Sequence, residues 1–252
     1  MSGPLPDIDR PDRATALFGH VTNWGRLEMD GSSLNTAEPS TASWPATSAP
    51  RSLYRRRLKR IFDLCLIGLA LPFLLPIMAL IAFLVTMDGG APLYSQIRIG
   101  AAGRPFRLWK FRTMVTDAED ALAHHLAADP AARAEWDVRQ KLMSDPRVTR
   151  VGNILRRTSL DELPQVWNVL RGDMSLVGPR PMMPQQAARY PGLAYYAVRL
   201  GLTGPWQVAA RNDSSFARRA EFDDAYVETL TFFRDLTLIT KTMAVVLRAT
   251  GH

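Results

Sequence analysis

From Leu64 to Met87 the chain carries 24 residues without a charge. As one straight helix at 1.5 Å per residue the run is about 36 Å long, enough to cross a hydrocarbon core of about 30 Å. Pro72 and Pro76 stand near its middle. Each removes a backbone donor and presses on the carbonyl one turn earlier, which costs about 3 kcal/mol in a helix interior. Divided there, each arm has about a dozen residues and reaches about 18 Å, too short to span.

Charge at the two flanks points the same way. Six basic residues lie between Arg51 and Arg60, and Arg98, Arg104, Arg107, Lys110 and Arg112 follow the run, with Asp88 the only acid between Met87 and Lys110. Short basic flanks tend to stay cytoplasmic, so both ends are expected on that side. A re-entrant helical hairpin, broken at Pro72 and Pro76 and entering and leaving by one face of the bilayer, satisfies both observations and is preferred to a single span. Asp63 follows Lys59 by one helical turn and is expected to pair with it at the interface.

The rest of the chain divides around this segment. Fifteen of the twenty residues from Gly31 to Pro50 are Ser, Thr, Pro or Ala, so residues 1–50 read as a disordered tail without a secretory signal. Residues 51–88 form the basic flank and membrane segment, and residues 89–252 a compact cytoplasmic domain. With 47% apolar residues the chain can build a core. Its net charge of +7 suits an anionic partner, whether nucleic acid, lipid head groups or a phosphorylated substrate. Cys65 is the single cysteine, which excludes an internal disulfide framework, and within an apolar run it reads as a small hydrophobe.

Aromatic and β-branched residues broken by Gly and Pro predict a short strand or hairpin after Gly90, with a second extended piece near Phe106 to Phe111. Thr116 to Leu142 reads as helix interrupted near Asp129 and Pro130. His124 and His125 are adjacent, so they point to different helix faces and read as surface residues rather than metal ligands. Phe222, Tyr226, Leu230 and Phe233 define one face of C-terminal helix, read as core packing. The expected class is therefore α+β, mainly helical, with small β elements.

Arginines concentrate between Asp145 and Pro181: Arg147, Arg150, Arg156, Arg157, Arg171 and Arg180. Their forked guanidinium groups match phosphate oxygens. In the same stretch Asp161 and Glu162 stand side by side. Ser159 and Glu162 fit a capping box, and Pro164 fits a first helical turn, so both carboxylates are expected in the first turn of a helix. Successive side chains there diverge by about 100°, which aims the two acids at different partners. Ordinary N-terminal capping remains the plain alternative. Pro179 and Pro181 enclose Arg180, an arrangement that can preorganise a guanidinium against an anion.

The stretches "KRIFD", "YSQIRIG", "WKFRTM", "RRTSLDELPQVWNVLRGDMSLVGPRP" and "GLTGPWQV" in this order resemble the bacterial sugar transferases, monotopic polyprenyl-phosphate phosphoglycosyl transferases. The resemblance runs from about Tyr54 to the C-terminus. It is to the small form, with no four-helix membrane region ahead of the basic stretch, and within it to the exopolysaccharide-initiating galactose-phosphate transferases. It implies attack by Asp161 on the β-phosphorus of a UDP-sugar, loss of UMP, and transfer of the phosphosugar to undecaprenyl phosphate. It further implies Mg²⁺ held by Glu162 with Asp161, substrate phosphates bound by Arg156, Arg180 and Arg211, and a place on the cytoplasmic face of the bacterial inner membrane among its lipids. Two departures stand out: Arg199 is followed by Leu200 rather than Pro, and Leu71 rather than Ser precedes Pro72. Nucleic-acid binding loses support for want of a zinc-finger or stacking-aromatic pattern. Homo-oligomer formation is left open.

Overall fold

A computed structural model describes residues 52–139, 142–209 and 216–247. The expected tail over residues 1–50 lies outside the described residues, as does Arg211.

A π-helical turn, Tyr54–Leu58, leads into one continuous helix, α1, Lys59–Met87. Pro72 and Pro76 lie inside it, so the expected break into two separate arms is not observed. The prolines are one turn apart and both exposed, hence on one face. The segment is long and apolar enough to cross a membrane. Leu69, Phe73, Leu75, Leu80 and Phe83 project away from the protein, and Cys65 is also exposed.

Both ends of α1 pack on the same folded body. Ile67 joins a core with Val166, Val169 and Met174, while Ile81 and Val85 join another with Phe111 and Leu155. Polar contacts reinforce the first two turns. Lys59 Nζ donates to Asp235 Oδ2 and to Tyr226 Oη, not to Asp63. Asp63 instead accepts from the backbone N–H of Leu176 at 3.2 Å. The pairing expected from helical spacing thus gives way to contacts with residues more than a hundred positions away. Arg60 donates to the carbonyls of Val169 and Leu170.

Strands β1, Leu93–Ile99, and β2, Pro105–Phe111, fall where a strand or hairpin and a second extended piece were expected, and pair with each other as an antiparallel hairpin, in register from Leu93 opposite Phe111 to Ile99 opposite Pro105. Helices α2, Ala118–Ala128, and α3, Pro130–Arg139, meet at Asp129, whose Oδ1 accepts from the N–H groups of Ala131 and Ala132. The interruption read from Asp129 and Pro130 is thus an N-cap. Helix α4, Arg150–Thr158, is capped by Thr149, and a Cβ at its Gly152 would lie 2.1 Å from the Thr113 carbonyl. Only glycine lets α4 approach the chain after β2 so closely.

Helix α5, Gln165–Arg171, ends at Gly172 with φ 93° and turns into β3, Met174–Val177, which pairs in parallel with β4, Leu200–Thr203. Short helices α6, Pro205–Ala209, and α7, Arg219–Glu228, precede the final helix α8, Phe232–Leu247. Tyr226 and Leu230 are buried as expected, but Phe233 is 75% exposed because it belongs to α8 and not to the face of α7. The core contains Met174, Met182, Tyr190, Tyr195 and Leu200, all essentially inaccessible. Asn168 ties this core to the hairpin: its side chain accepts from Trp109 N and donates to the Arg107 carbonyl.

Candidate active site

Helix α4 stops at Ser159, which takes a left-handed conformation with φ 57° and donates its N–H to the Arg156 and Leu155 carbonyls. That conformation is unfavourable for a residue with a side chain. Its effect is to turn the chain sharply into a short 3₁₀ segment, Leu160–Glu162, ahead of α5. The expected capping box is absent, since Ser159 makes no side-chain cap here. Asp161 and Glu162 therefore stand in a separate turn before α5 rather than in its first turn.

Three elements converge on this turn. Lys110 on β2 reaches both acids, with Nζ 3.4 Å from Asp161 Oδ2 and 2.8 Å from Glu162 Oε1. Arg180, in the loop after β3, donates from Nη2 to Glu162 Oε1 at 3.0 Å. Arg156 on α4 donates from Nε to Thr113 Oγ1 at 2.9 Å, and its charge acts on Asp161. Arg180 is fixed by more than its prolines. Gly178 N donates to the Thr203 carbonyl, Gly201 N to the Pro179 carbonyl, and the Arg219 guanidinium to the Arg180 carbonyl.

The two acids are driven apart electrostatically. Burial pushes the Asp161 carboxyl up, with Glu162 adding to the effect and Lys110 and Arg156 opposing it. Burial acts on Glu162 in the same sense, but Arg180 and Lys110 more than offset it and hold its carboxyl at about 2. One acid is thus a firmly ionised anchor. The other has an elevated proton affinity, which suits a more basic oxygen.

Beside the turn lies a recess of about 280 Å³, solvent at its mouth included, lined by Arg98, Leu108, Lys110, Glu162, Gln165, Arg180, Pro181, Gly201 and Leu202. The structure brings together Asp161, Glu162, Arg156 and Arg180, all singled out from sequence. It adds Lys110 and Arg98, which the sequence reading counted only in the basic flank after the apolar run. Strand periodicity carried the signal: with Arg98 opposite Phe106 and Tyr94 opposite Lys110, the two cations share one face of the hairpin. Arg147 serves elsewhere, pairing with Asp145 at 2.7 Å over the Trp136 ring.

Among the described residues no group of three His, Cys, Asp or Glu side chains forms a metal cage. Mg²⁺ does not require one, since it commonly takes one or two carboxylates and completes its shell with water and substrate phosphate oxygens. The bonds from Lys110 and Arg180 use Asp161 Oδ2 and Glu162 Oε1, which leaves an oxygen of each carboxylate for a cation. The donor set fits such an ion.

Two adjacent carboxylates contacted by arginine and lysine, next to a recess and on a body gripping a helix long and apolar enough to cross a membrane, define the class of site. Comparison with known proteins narrows that class. Residues 54–249 match the model of the bacterial sugar transferase family, and the chain belongs to it. It is 48% identical over 198 residues to a UDP-galactose-lipid carrier transferase of Erwinia amylovora, covering 78% of this chain and 42% of that protein. Identity is 46% over 198 residues to the undecaprenyl-phosphate galactose phosphotransferase of Salmonella typhimurium, with the same coverage. The exopolysaccharide production protein ExoY of Sinorhizobium fredii is 44% identical over 196 residues, 87% of its length. The chain thus spans less than half of the first two relatives and most of the third.

Proposed function

We propose that this protein transfers a sugar 1-phosphate from a UDP-sugar to undecaprenyl phosphate, releasing UMP, as the first membrane step of exopolysaccharide or other surface-glycan synthesis. A carboxylate oxygen of Asp161 attacks the β-phosphorus of the donor, and the bond to the bridging oxygen of UMP breaks. An oxygen of the lipid phosphate then attacks the same phosphorus, the bond to Asp161 breaks, and the lipid leaves as undecaprenyl diphosphate-sugar. The carrying observation is the convergence of Lys110 on both acids and of Arg180 on Glu162, beside a recess that Glu162, Lys110 and Arg180 line.

Lys110 contacts Asp161 and, with the Arg156 charge, favours its ionised form against burial, and Arg180 offers its guanidinium to the phosphoryl oxygens on which charge develops. Glu162 and Asp161 are the residues that would hold Mg²⁺, which when bound supplies positive charge to the diphosphate. Arg211, outside the described residues, is proposed as a further phosphate ligand on resemblance alone. The cytoplasmic face of the inner membrane is the proposed site of action, with α1 re-entrant. In its support, both ends of α1 pack on one body, as do Leu71, Leu74 and Met78 between them, while Leu69, Phe73, Leu75 and Leu80 point outward.

The test supplies purified protein with Mg²⁺ and a panel of UDP-sugars, with and without undecaprenyl phosphate. One sugar should yield UMP, and donor alone should leave a phosphosugar mass on the peptide containing Asp161. Asp161→Asn should abolish both. UMP release that strictly requires both substrates would exclude the covalent route, and none from any UDP-sugar would leave a binding scaffold instead.

A further inference from the structure

Arg98 has a task in the recess that its local contacts do not explain. Its Nη2 donates to the neutral Gln96 Oε1 at 2.7 Å, while Nε and Nη1 are buried without an acceptor among the described residues. Burial and the neighbouring Arg180 charge both disfavour its protonated form and lower its pKa to about 10, yet it remains a cation at neutral pH. A buried, charged donor left unpaired is costly, more so than a neutral one. On the hairpin face Gln96 accepts from one of the three Arg98 nitrogens only. Glu162, the acid within electrostatic reach, already takes bonds from Lys110 and Arg180.

The recess therefore has a surplus of positive charge, with Arg98, Lys110 and Arg180 against Glu162 on its wall and Asp161 beside it. An anion with several acceptor oxygens would relieve the repulsion between the two guanidinium groups and supply Arg98 with the acceptors it lacks. A phosphate does so bidentately, because the guanidinium fork matches two of its oxygens.

We propose that Arg98 is a phosphate-binding residue of the recess, engaging a substrate phosphate together with Arg180. This rests on the transferase reading only for the identity of the phosphate, which comes from the UDP-sugar diphosphate or from the lipid acceptor. Gln96 is the placeholder that holds the guanidinium while no phosphate is present.

The experiment uses the full chain in lipid nanodiscs. Inorganic pyrophosphate is titrated by calorimetry into wild type, Arg98→Lys and Gln96→Glu. In parallel, UMP release is followed against donor and acceptor concentration separately. Arg98→Lys loses the fork and should weaken pyrophosphate binding about tenfold or more, the scale of one charge-assisted hydrogen bond. Gln96→Glu supplies a built-in anion, so it should raise the melting temperature while weakening pyrophosphate to a similar degree. A purely structural Arg98 cannot give those opposite signs.

A rise in the donor KM alone assigns the phosphate to the UDP-sugar, and a rise in the acceptor KM alone assigns it to the lipid. Pyrophosphate binding that is absent in wild type, or within twofold of wild type in folded Gln96→Glu, overturns the proposal. The titration decides this even if wild type turns over no UDP-sugar, so the transferase reading can fail without deciding the role of Arg98.

Discussion

Lys59→Met should be among the most destabilising single changes at the surface between α1 and the rest of the protein. The Lys59 side chain is 10% exposed and that of Asp235 is fully buried, so the pair has little water to fall back on. Removing one member of a buried ion pair costs about 3–5 kcal/mol, because the remaining charge stays desolvated. Here the hydroxyls of Tyr54 and Tyr226 still donate to Asp235, each at 2.7 Å, which places the expected loss near the lower end. For a domain of this size about 2–4 °C is lost per kcal/mol, so the melting temperature should fall by roughly 6–12 °C for a loss of about 3 kcal/mol. Adding Asp235→Asn removes the stranded charge but retains an acceptor for the tyrosines. The double variant should recover at least about 1 kcal/mol of the loss. Thermal unfolding in one detergent, followed by intrinsic fluorescence, reads both. A fall of less than about 2 °C for Lys59→Met, or a double variant as unstable as the sum of the singles, would refute the reasoning.

Four further outcomes follow from the site and the helix. Because Glu162 is held at about 2, below its ordinary 4.5, it contributes stability above pH 4.5 that is lost as pH falls toward 2; Glu162→Gln should flatten that part of the melting-temperature profile, and parallel profiles would contradict it. A Cβ at Gly178 would sit 2.4 Å from the Arg199 carbonyl, so Gly178→Ala should cost about 1–3 kcal/mol and reduce turnover by displacing Arg180, whereas wild-type melting and rate would show that the strand pair yields freely. With Cys65 replaced, Ser52→Cys and Ser95→Cys should both react with an impermeant maleimide only from the cytoplasmic side, and labelling of Ser52→Cys alone from outside intact cells would establish a span. Replacing Pro72 and Pro76 by Ala restores two backbone donors and should shift the labelling toward that spanning pattern.

Much of the site was legible because its residues are close in sequence and chemically unusual. Asp161, Glu162 and Arg180 fall within twenty residues, and their charges and flanking prolines needed no knowledge of the fold. The hairpin and the interruption at Asp129 were local as well, set by alternation and by capping. Ser159 was misplaced because its sequence fits both the end of α4 and the start of the next helix, and only packing decides between them. Lys59 was given a partner by helical spacing, but its acceptor lies 176 residues away. Such contacts have no signature in spacing. Arg98 and Lys110 were the recoverable omission, since a period of two across the hairpin already placed them together.

The grip of α1 on the elements around the candidate site makes that helix part of the scaffold holding the site rather than an appendage to it. Arg60 supplies donors to the last carbonyls of α5, the helix that the Asp161–Glu162 turn leads into, and Asp63 holds the N–H of Leu176 on β3, the strand that delivers Arg180. A chain whose first turns had not docked would leave those carbonyls and that amide without these partners, and the turn bearing Asp161 and Glu162 would lose one of the ties that set its spacing from Arg180. One helix thus sets the distance between the turn that bears the two acids and the strand that leads to Arg180, so a change in how its first turns dock is felt at both.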